Sequence, residues 1–332
     1  MFHNKSTTFM LKNIYKLPFF NREHCKKNII ENDIQKFIEE EIFVEYDELE
    51  EYSINDDKTV KPFLKWAGGK FKSLNDIKNL FPKNGKTYLE PFVGAGSIAL
   101  NVDYEKIIVN DINSDLIQVY LCLQKDGIKF INECKKIFTK ENNTRESYKK
   151  IKDEFNTSKD IYRKAVLFIY LNRHCFNGLC RYNRKGEFNT PIGKYGNPYF
   201  PESQMFSAIE KIEKFEIKNE DYKNIIDMAM EGDIVYCDPP YIPLSESAYF
   251  DAYSKEKFTL KNQIELAESA SMAAERGAIV LISNHCNWYS RQIYTEMYGG
   301  KVKMFDVSRT ISSNIEQRKA VKELIATFSP KK

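Results

Sequence analysis

The hydrophobic pattern of this chain changes period along its length. Short apolar runs break off sharply at Pro, Gly or Asp: Thr87-Tyr88-Leu89, the run inside KIIVNDIN, Ile234-Val235-Tyr236 and Ala278–Ser283. Each predicts a buried strand. Between them the spacing becomes helical. Leu116, Val119, Tyr120 and Leu123 share one helix face, and Ile128, Ile131, Cys134 and Phe138 follow less cleanly. Ala165–Leu171 predicts a buried helix and Asn262–Ala274 another. Ser97–Asn101 is expected to open a helix, and Pro201–Met230 reads as helical throughout. Two further strands are expected to flank Arg309–Lys319. Strands alternating with helices predict an α/β fold.

Residues 1–60 carry a different pattern. Lys, Asn and Phe dominate to about Lys27, and Asp33–Asp57 is strongly acidic. Ile34, Phe37, Ile38 and Ile42 could line a short helix, so this stretch is expected to be a partly helical, partly disordered extension. The main body opens at Lys61. Composition adds little: 332 residues, 42% hydrophobic, with a net charge of +3, so any nucleic-acid argument rests on where the charges lie. Seven cysteines at irregular spacing fit reduced thiols in a cytosol-like compartment. No apolar run is long enough to span a bilayer, and lysines interrupt the one signal-like stretch near the start.

The candidate chemistry centres on Gly232–Leu244, GDIVYCDPPYIPL. Two prolines cannot donate to a sheet ladder, so they force the chain out of the sheet after the strand. Asp238-Pro239-Pro240-Tyr241 should then present a stiff carboxylate, two exposed carbonyls and a ring at the carboxyl edge, where open α/β sheets bind ligands. A loop that merely ends a strand is the plainer alternative. Cys237 continues the strand pattern and reads as packing. Gly94-Ala95-Gly96 forms a strand-to-helix turn, and Asp111 follows the next strand about 20 residues on, placed to accept from ribose hydroxyls. That arrangement suits any adenosine-containing cofactor and does not separate NAD from S-adenosylmethionine. Lys65, Trp66 and Lys70 surround a second glycine turn, Gly68-Gly69.

Between Tyr162 and Tyr195 the buried helix gives way to a basic, aromatic segment. Arg173, Arg181, Arg184, Lys185 and Lys194 alternate with Phe176, Tyr182, Phe188 and Tyr195. The turn pairs Asn177-Gly178 and Lys185-Gly186 predict a protruding hairpin suited to phosphates and bases. A solvated charged hairpin would look similar. His174, Cys175 and Cys180 lack a fourth ligand at suitable spacing, so no metal is expected. Ser245–Lys257 has few apolar anchors and is expected to act as a mobile flap, and the Arg309–Lys319 loop to touch nucleic-acid backbone.

These parts suit an exocyclic amine on a nucleobase. Its lone pair is delocalised into the ring. Acceptors aimed at both N–H bonds, Asp238 Oδ and the Pro239 carbonyl, would free it, while Tyr241 stacks on the base. In a duplex the base must first be flipped out.

FLKWAGGK, EPFVGAGS, NDIN, YLNR…NGLCRYN..GEFN.P.G.Y, YCDPPY and ISSN occur here in an order that resembles the DNA adenine methyltransferase family, from about Pro62 to Pro330. The resemblance implies a Rossmann-like S-adenosylmethionine-dependent methyltransferase sheet with helices on both faces. It also implies an inserted, mostly helical DNA-recognition domain with a β-hairpin. The catalytic domain would comprise 61–113 and 202–332, and the recognition domain 114–201. The implied reaction is methylation of adenine N6 in GATC in double-stranded DNA, by a cytoplasmic monomer with no metal and no membrane. Trp66, Lys70, Phe92, Gly94, Gly96, Asp111 and Asp238 would bind the cofactor, with Asp238, Pro239 and Tyr241 catalytic. Lys65 and Tyr195 would lie near the first guanine, Arg181 would read a later one, and Asn177 with Leu179 would make neighbouring contacts. Phe176 stands where the family often has an intruding tyrosine; Arg173, Asn183, Asn189 and Lys194 would hold phosphates.

Three other readings stand beside this one. An NAD-dependent oxidoreductase would use the glycine turn and Asp111 but leave Asp238–Tyr241 and the basic hairpin idle. A methyltransferase acting on cytosine N4, protein glutamine or RNA adenine would share most of the motifs. A non-catalytic DNA-binding module would have no use for Asp238–Tyr241.

Overall fold

The computed structural model describes residues 59–194, 196, 198–242, 258–307 and 321–330. All but the last two residues of the 1–60 extension, the Ser245–Lys257 flap, Tyr195 and the Arg309–Lys319 loop fall outside them. In chain order the helices are α1 (Leu74–Lys78), α2 (Ser114–Lys136), α3 (Arg145–Thr157), α4 (Ile161–His174), α5 (Glu202–Ile212), α6 (Tyr222–Asp227), α7 (Leu260–Glu275) and α8 (Trp288–Arg291). The strands are β1 (Thr87–Glu90), β2 (Lys106–Asn110), β3 (Phe215–Lys218), β4 (Ile234–Cys237), β5 (Ile279–His285), β6 (Lys301–Val307) and β7 (Val321–Phe328).

The seven strands form one sheet in the order β3-β2-β1-β4-β5-β7-β6. The first five are parallel, with Tyr88 opposite both Ile107 and Ile234. β7 runs antiparallel between β5 and β6. Every residue of β4 is buried, as a parallel strand covered on both faces requires. Chain order reverses at β1, whose neighbours are β2 on one side and β4 on the other. Their carboxyl ends therefore frame the crevice where such sheets bind ligands.

Helices α2, α3 and α4 start at side-chain caps, Asn113, Thr144 and Asp160, each accepting a backbone N–H of the first turn. α4 buries everything from Ala165 to His174, and α2 packs along it. Burying each large apolar side chain there contributes about 1.5–3 kcal/mol, so a charge at Leu167 would break the layer. α2 is kinked at Gly127, whose φ is 46°.

Two expectations are corrected. Pro201–Met230 is not helical throughout: Phe215–Lys218 is the outermost parallel strand, too short and half-buried to show a period. The helix expected after Gly96 is only a 3-10 turn, Ala99–Asn101. Asn101 ends it by donating to the carbonyls of Val60 and Ser97, after which Val102 is extended. Among the described residues no helix is long and apolar enough to cross a membrane.

Candidate active site and nucleic-acid interface

Pro239 and Pro240 end β4, and Asp238 stands at its carboxyl edge. The buried Lys70 ammonium lies 3.1 Å from Asp238 Oδ1. That oxygen is buried and is held by this ion pair, with no further hydrogen-bond donor meeting it among the described residues. Burial pushes the Asp238 carboxyl above its ordinary range; Lys70 pulls it down and Glu323 pushes it up. Lys70 also donates to the Gly68 carbonyl and stands 4.6 Å from the centre of the Tyr241 ring. The Tyr241 hydroxyl donates to Glu323 Oε2 (3.1 Å), and its ring meets His285 edge to face at 4.8 Å. Of the two carbonyls expected to be exposed, that of Pro240 is not free. The buried Gln263 amide donates to it at 2.7 Å.

The glycine turn lies beside this cluster, across the β1–β4 boundary. Val93 N donates to the Asn110 carbonyl, tying the turn to the end of β2. Gly94 (φ 48°) and Gly96 (φ 72°) adopt left-handed conformations. A Cβ on Gly94 would lie 2.7 Å from Trp66 Cδ1, and one on Gly96 2.8 Å from the Tyr120 hydroxyl. Asp111 receives the N–H groups of Gly94 (3.1 Å) and Asn113 (2.9 Å). Burial raises its carboxyl above the usual range, against the pull of those two donors. Phe92 stacks on Tyr222 with centroids 5.2 Å apart.

Two residues here escaped the sequence reading. Ile112, directly after Asp111, is 72% exposed, an apolar side chain held open beside a half-buried carboxylate. Glu90, at the end of β1, is buried and accepts the Tyr88 hydroxyl at 2.8 Å. Burial lifts its carboxyl well above the ordinary range, and Asp238 and Asp111 add to that. The signal for it was an acid closing an apolar strand just before Pro91.

The 62–70 segment joins this crevice to the basic hairpin. Asn172, fully buried on α4, grips the Lys65 backbone from both sides: its Oδ1 accepts the N–H at 2.9 Å and its Nδ2 donates to the carbonyl at 2.7 Å. Gly178 (φ 66°) packs so close to Lys65 that a Cβ there would meet Lys65 Cβ at 2.3 Å. Burial, helped by neighbouring Arg173, lowers the Lys65 ammonium to about 8. Arg173 is only 6% exposed, lies over the Tyr199 ring at 4.2 Å, and its Nε has no hydrogen-bond partner.

The hairpin is held by the bridges Cys175–Ile192 and Tyr182–Phe188. Phe176, 41% exposed, and Leu179 stand out from it, and Asn177 between them takes a left-handed φ of 53°. Arg181 is exposed, with Nε donating to Asn189 Oδ1 at 3.2 Å. Lys194 is exposed at its far end. Asn183 is turned inward. Its Oδ1 accepts from the N–H groups of Lys185 and Glu187, and its Nδ2 donates to Glu187 at 2.7 Å. Tyr182 donates to Asp115, fastening the hairpin to the first turn of α2, and Lys164 on α4 pairs with the same carboxylate. His174 stacks on Tyr170 at 3.8 Å and is lowered to about 4 by burial, while burial raises the Cys175 and Cys180 thiols. The structure thus brings Lys70, Asp238 and Tyr241 together, Trp66 and Gly94 with Asp111, Lys65 with Arg173, and Arg181 with Asn189.

The sequence profile of the D12 class N6 adenine-specific DNA methyltransferases matches residues 66–311. The DNA adenine methylase of Escherichia coli (strain K12) is 46% identical over 273 residues, covering 82% of this chain and 97% of that protein. The Salmonella typhi DNA adenine methylase is 45% identical with the same coverage. That of Vibrio cholerae serotype O1 (strain ATCC 39541 / Classical Ogawa 395 / O395) is 43% identical over 274 residues, covering 82% of this chain and 98% of its own. With the Lys70–Asp238–Tyr241 cluster set beside the glycine turn and the basic hairpin, this likeness spans the crevice and the hairpin together, and the chain belongs to the D12 class N6 adenine-specific DNA methyltransferases.

Proposed function

We propose that this chain transfers the methyl group of S-adenosylmethionine to N6 of adenine in GATC within double-stranded DNA, by base flipping and direct in-line transfer. The observation that carries the reading is the Asp238 carboxylate at the carboxyl edge of β4, ion-paired by Lys70 and with no other donor on its buried Oδ1 among the described residues. An amine N–H would supply the missing donor. Lys70 pulls the Asp238 carboxyl down against the upward push of its burial, which favours the accepting carboxylate. Asp238 Oδ and the Pro239 carbonyl then take the two N–H bonds and free the nitrogen lone pair, with Tyr241 fixing the base plane.

The residues around the glycine turn fit the methyl donor. Gly94 and Gly96 make a left-handed turn in which a Cβ would strike Trp66 or Tyr120, Asp111 offers a carboxylate to ribose hydroxyls, and the open side chain of Ile112 offers an apolar wall to a flat ring. Trp66, Lys70, Phe92 and Asp238 complete the binding set. When bound, S-adenosylmethionine supplies an electrophilic methyl group, so no covalent enzyme intermediate is needed; buried Cys237, its thiol raised well above the usual range, is packing.

Residues 114–201 serve as the recognition part and 61–113 with 202–332 as the catalytic part. Lys65 and Tyr195 lie near the first guanine, Arg181 reads a later one, and Asn177 and Leu179 contact neighbouring bases. Phe176 fills the opened stack as a ring without a hydroxyl. Arg173, Asn189 and Lys194 hold phosphates, and Asn183 does so only if its turn opens. The enzyme works as a monomer in the cytoplasm, with its DNA. The test uses methyl-labelled S-adenosylmethionine with a GATC duplex and a GTAC control. Label on adenine N6 of GATC alone is expected; label on cytosine, or equal label in both duplexes, overturns the reading.

A further inference from the structure

Gln263, Asn284 and Tyr294 come from three different elements: α7, β5 and the turn that follows α8. All three are buried, Asn284 and Tyr294 completely. A buried amide without partners costs about 1–3 kcal/mol, so two of them in a core need a reason. Their hydrogen bonds supply one. Gln263 Nε2 donates to the Pro240 carbonyl at 2.7 Å. Asn284 Oδ1 accepts the Ile242 N–H at 2.9 Å. The remaining groups satisfy one another: Asn284 Nδ2 donates to Gln263 Oε1 (3.2 Å) and to the Tyr294 oxygen (3.0 Å), and the Tyr294 hydroxyl donates to Gln263 Oε1. The orientation of Asn284 is fixed, because the N–H groups of both Ile242 and His285 point at its oxygen.

The two backbone atoms gripped are the informative ones. The Pro240 carbonyl fixes the peptide plane before Tyr241, and the Ile242 N–H fixes the plane after it. Peptide units are rigid, so holding both planes sets φ and ψ of Tyr241. The two proline rings already fix φ at 239 and 240. His285 Nδ1 adds a contact to the Ile242 carbonyl at 2.9 Å. We propose that Gln263, Asn284 and Tyr294 are positioning residues for methyl transfer: a fully satisfied buried network that preorganises the Asp238–Tyr241 turn for the target amine. It rests on Asp238–Tyr241 being the amine clamp. Misplacing such a turn by a fraction of an ångström weakens the transition state far more than ground-state binding.

The network offers a specific signature. Gln263→Met keeps length and bulk but loses every hydrogen bond; Tyr294→Phe removes one hydroxyl and serves should Gln263→Met fail to fold. Single-turnover methylation of a GATC duplex is measured beside the KM for S-adenosylmethionine, the duplex Kd and the Tm. We expect kcat to fall about 10- to 100-fold in Gln263→Met and about 3- to 10-fold in Tyr294→Phe, with KM and Kd within about 3-fold. Asp238→Ala, run in parallel, should be slower by about 100-fold or more. A folded Gln263→Met or Tyr294→Phe with kcat within about 2-fold of the parent, beside an inactive Asp238→Ala, overturns the network's role and leaves the clamp standing. A rise in KM and Kd alongside the fall in kcat also overturns it, since that marks a purely structural role. An active Asp238→Ala overturns the clamp and the network with it.

Discussion

The Tyr241 hydroxyl donates to Glu323 Oε2 at 3.1 Å, so a residue on β7 fixes the tip of the ring that closes the Asp238-Pro239-Pro240-Tyr241 turn. Glu323 also pushes the Asp238 carboxyl upward. The two effects separate by substitution. Glu323→Ala removes the ring's anchor and should lower kcat by about 10- to 100-fold, the worth of a hydrogen bond to a charged group. Glu323→Gln keeps an acceptor and should stay within about 3-fold at neutral pH. It also removes a negative charge beside Asp238, so the acid limb of its pH–rate profile should move to lower pH. Single-turnover rates from pH 5 to 8 check both.

Lys70 acts on Asp238 in the opposite sense. Burial raises the Asp238 carboxyl and the ammonium at 3.1 Å restrains it. Activity needs the carboxylate, so it is lost as pH falls through the folded pKa. Lys70→Met removes the restraint, and its acid limb should therefore lie at higher pH than the parent's. An unchanged acid limb, whatever the fall in kcat, would show that Lys70 serves the methyl donor alone.

Lys65 gives a basic limb in binding rather than in rate. Its ammonium is lowered to about 8 by burial, with Arg173 beside it. Below that pH it is charged and can meet a guanine or phosphate; above it the charge is lost. Affinity for a GATC duplex should fall as pH rises from 7 to 9, by at most about tenfold per unit above 8. Lys65→Arg should bind evenly across that range. Fluorescence anisotropy at fixed ionic strength checks this, since salt alone shifts such affinities strongly.

Much of this site could be read from residues alone because its carriers end apolar strands. Asp238 follows IVYC and Asp111 closely follows KIIVN, and a carboxylate at such a boundary stands out. The strand Phe215–Lys218 did not, being four residues at the sheet's outer edge with half-buried side chains. Gln263 and Asn284 could not be read either. A polar residue in a helix or strand looks solvent-facing until the tertiary structure brings its partners, and apart from neighbouring His285 theirs lie 10 to 42 residues away. Asn183 shows the converse: it has the composition of a phosphate ligand, but Glu187, four residues on, takes its amide.

Arg181 and Asn189 make the last test, because the structure joins a proposed reader to a proposed clamp. Arg181 Nε donates to Asn189 Oδ1, and the Asn189 N–H donates to the Arg181 carbonyl at 3.0 Å. An arginine reads guanine best when its fork is held in plane. Arg181→Ala should cost about 1–3 kcal/mol at one base pair and relax specificity there. Asn189→Ala frees the guanidinium and should relax the same base pair by a smaller amount. Lys194→Ala should instead weaken binding to every sequence alike and flatten the salt dependence. Methylation rates on the set of singly substituted GATC duplexes separate the three. If Asn189→Ala behaves like Lys194→Ala, the asparagine holds a phosphate and Arg181 needs no help from it.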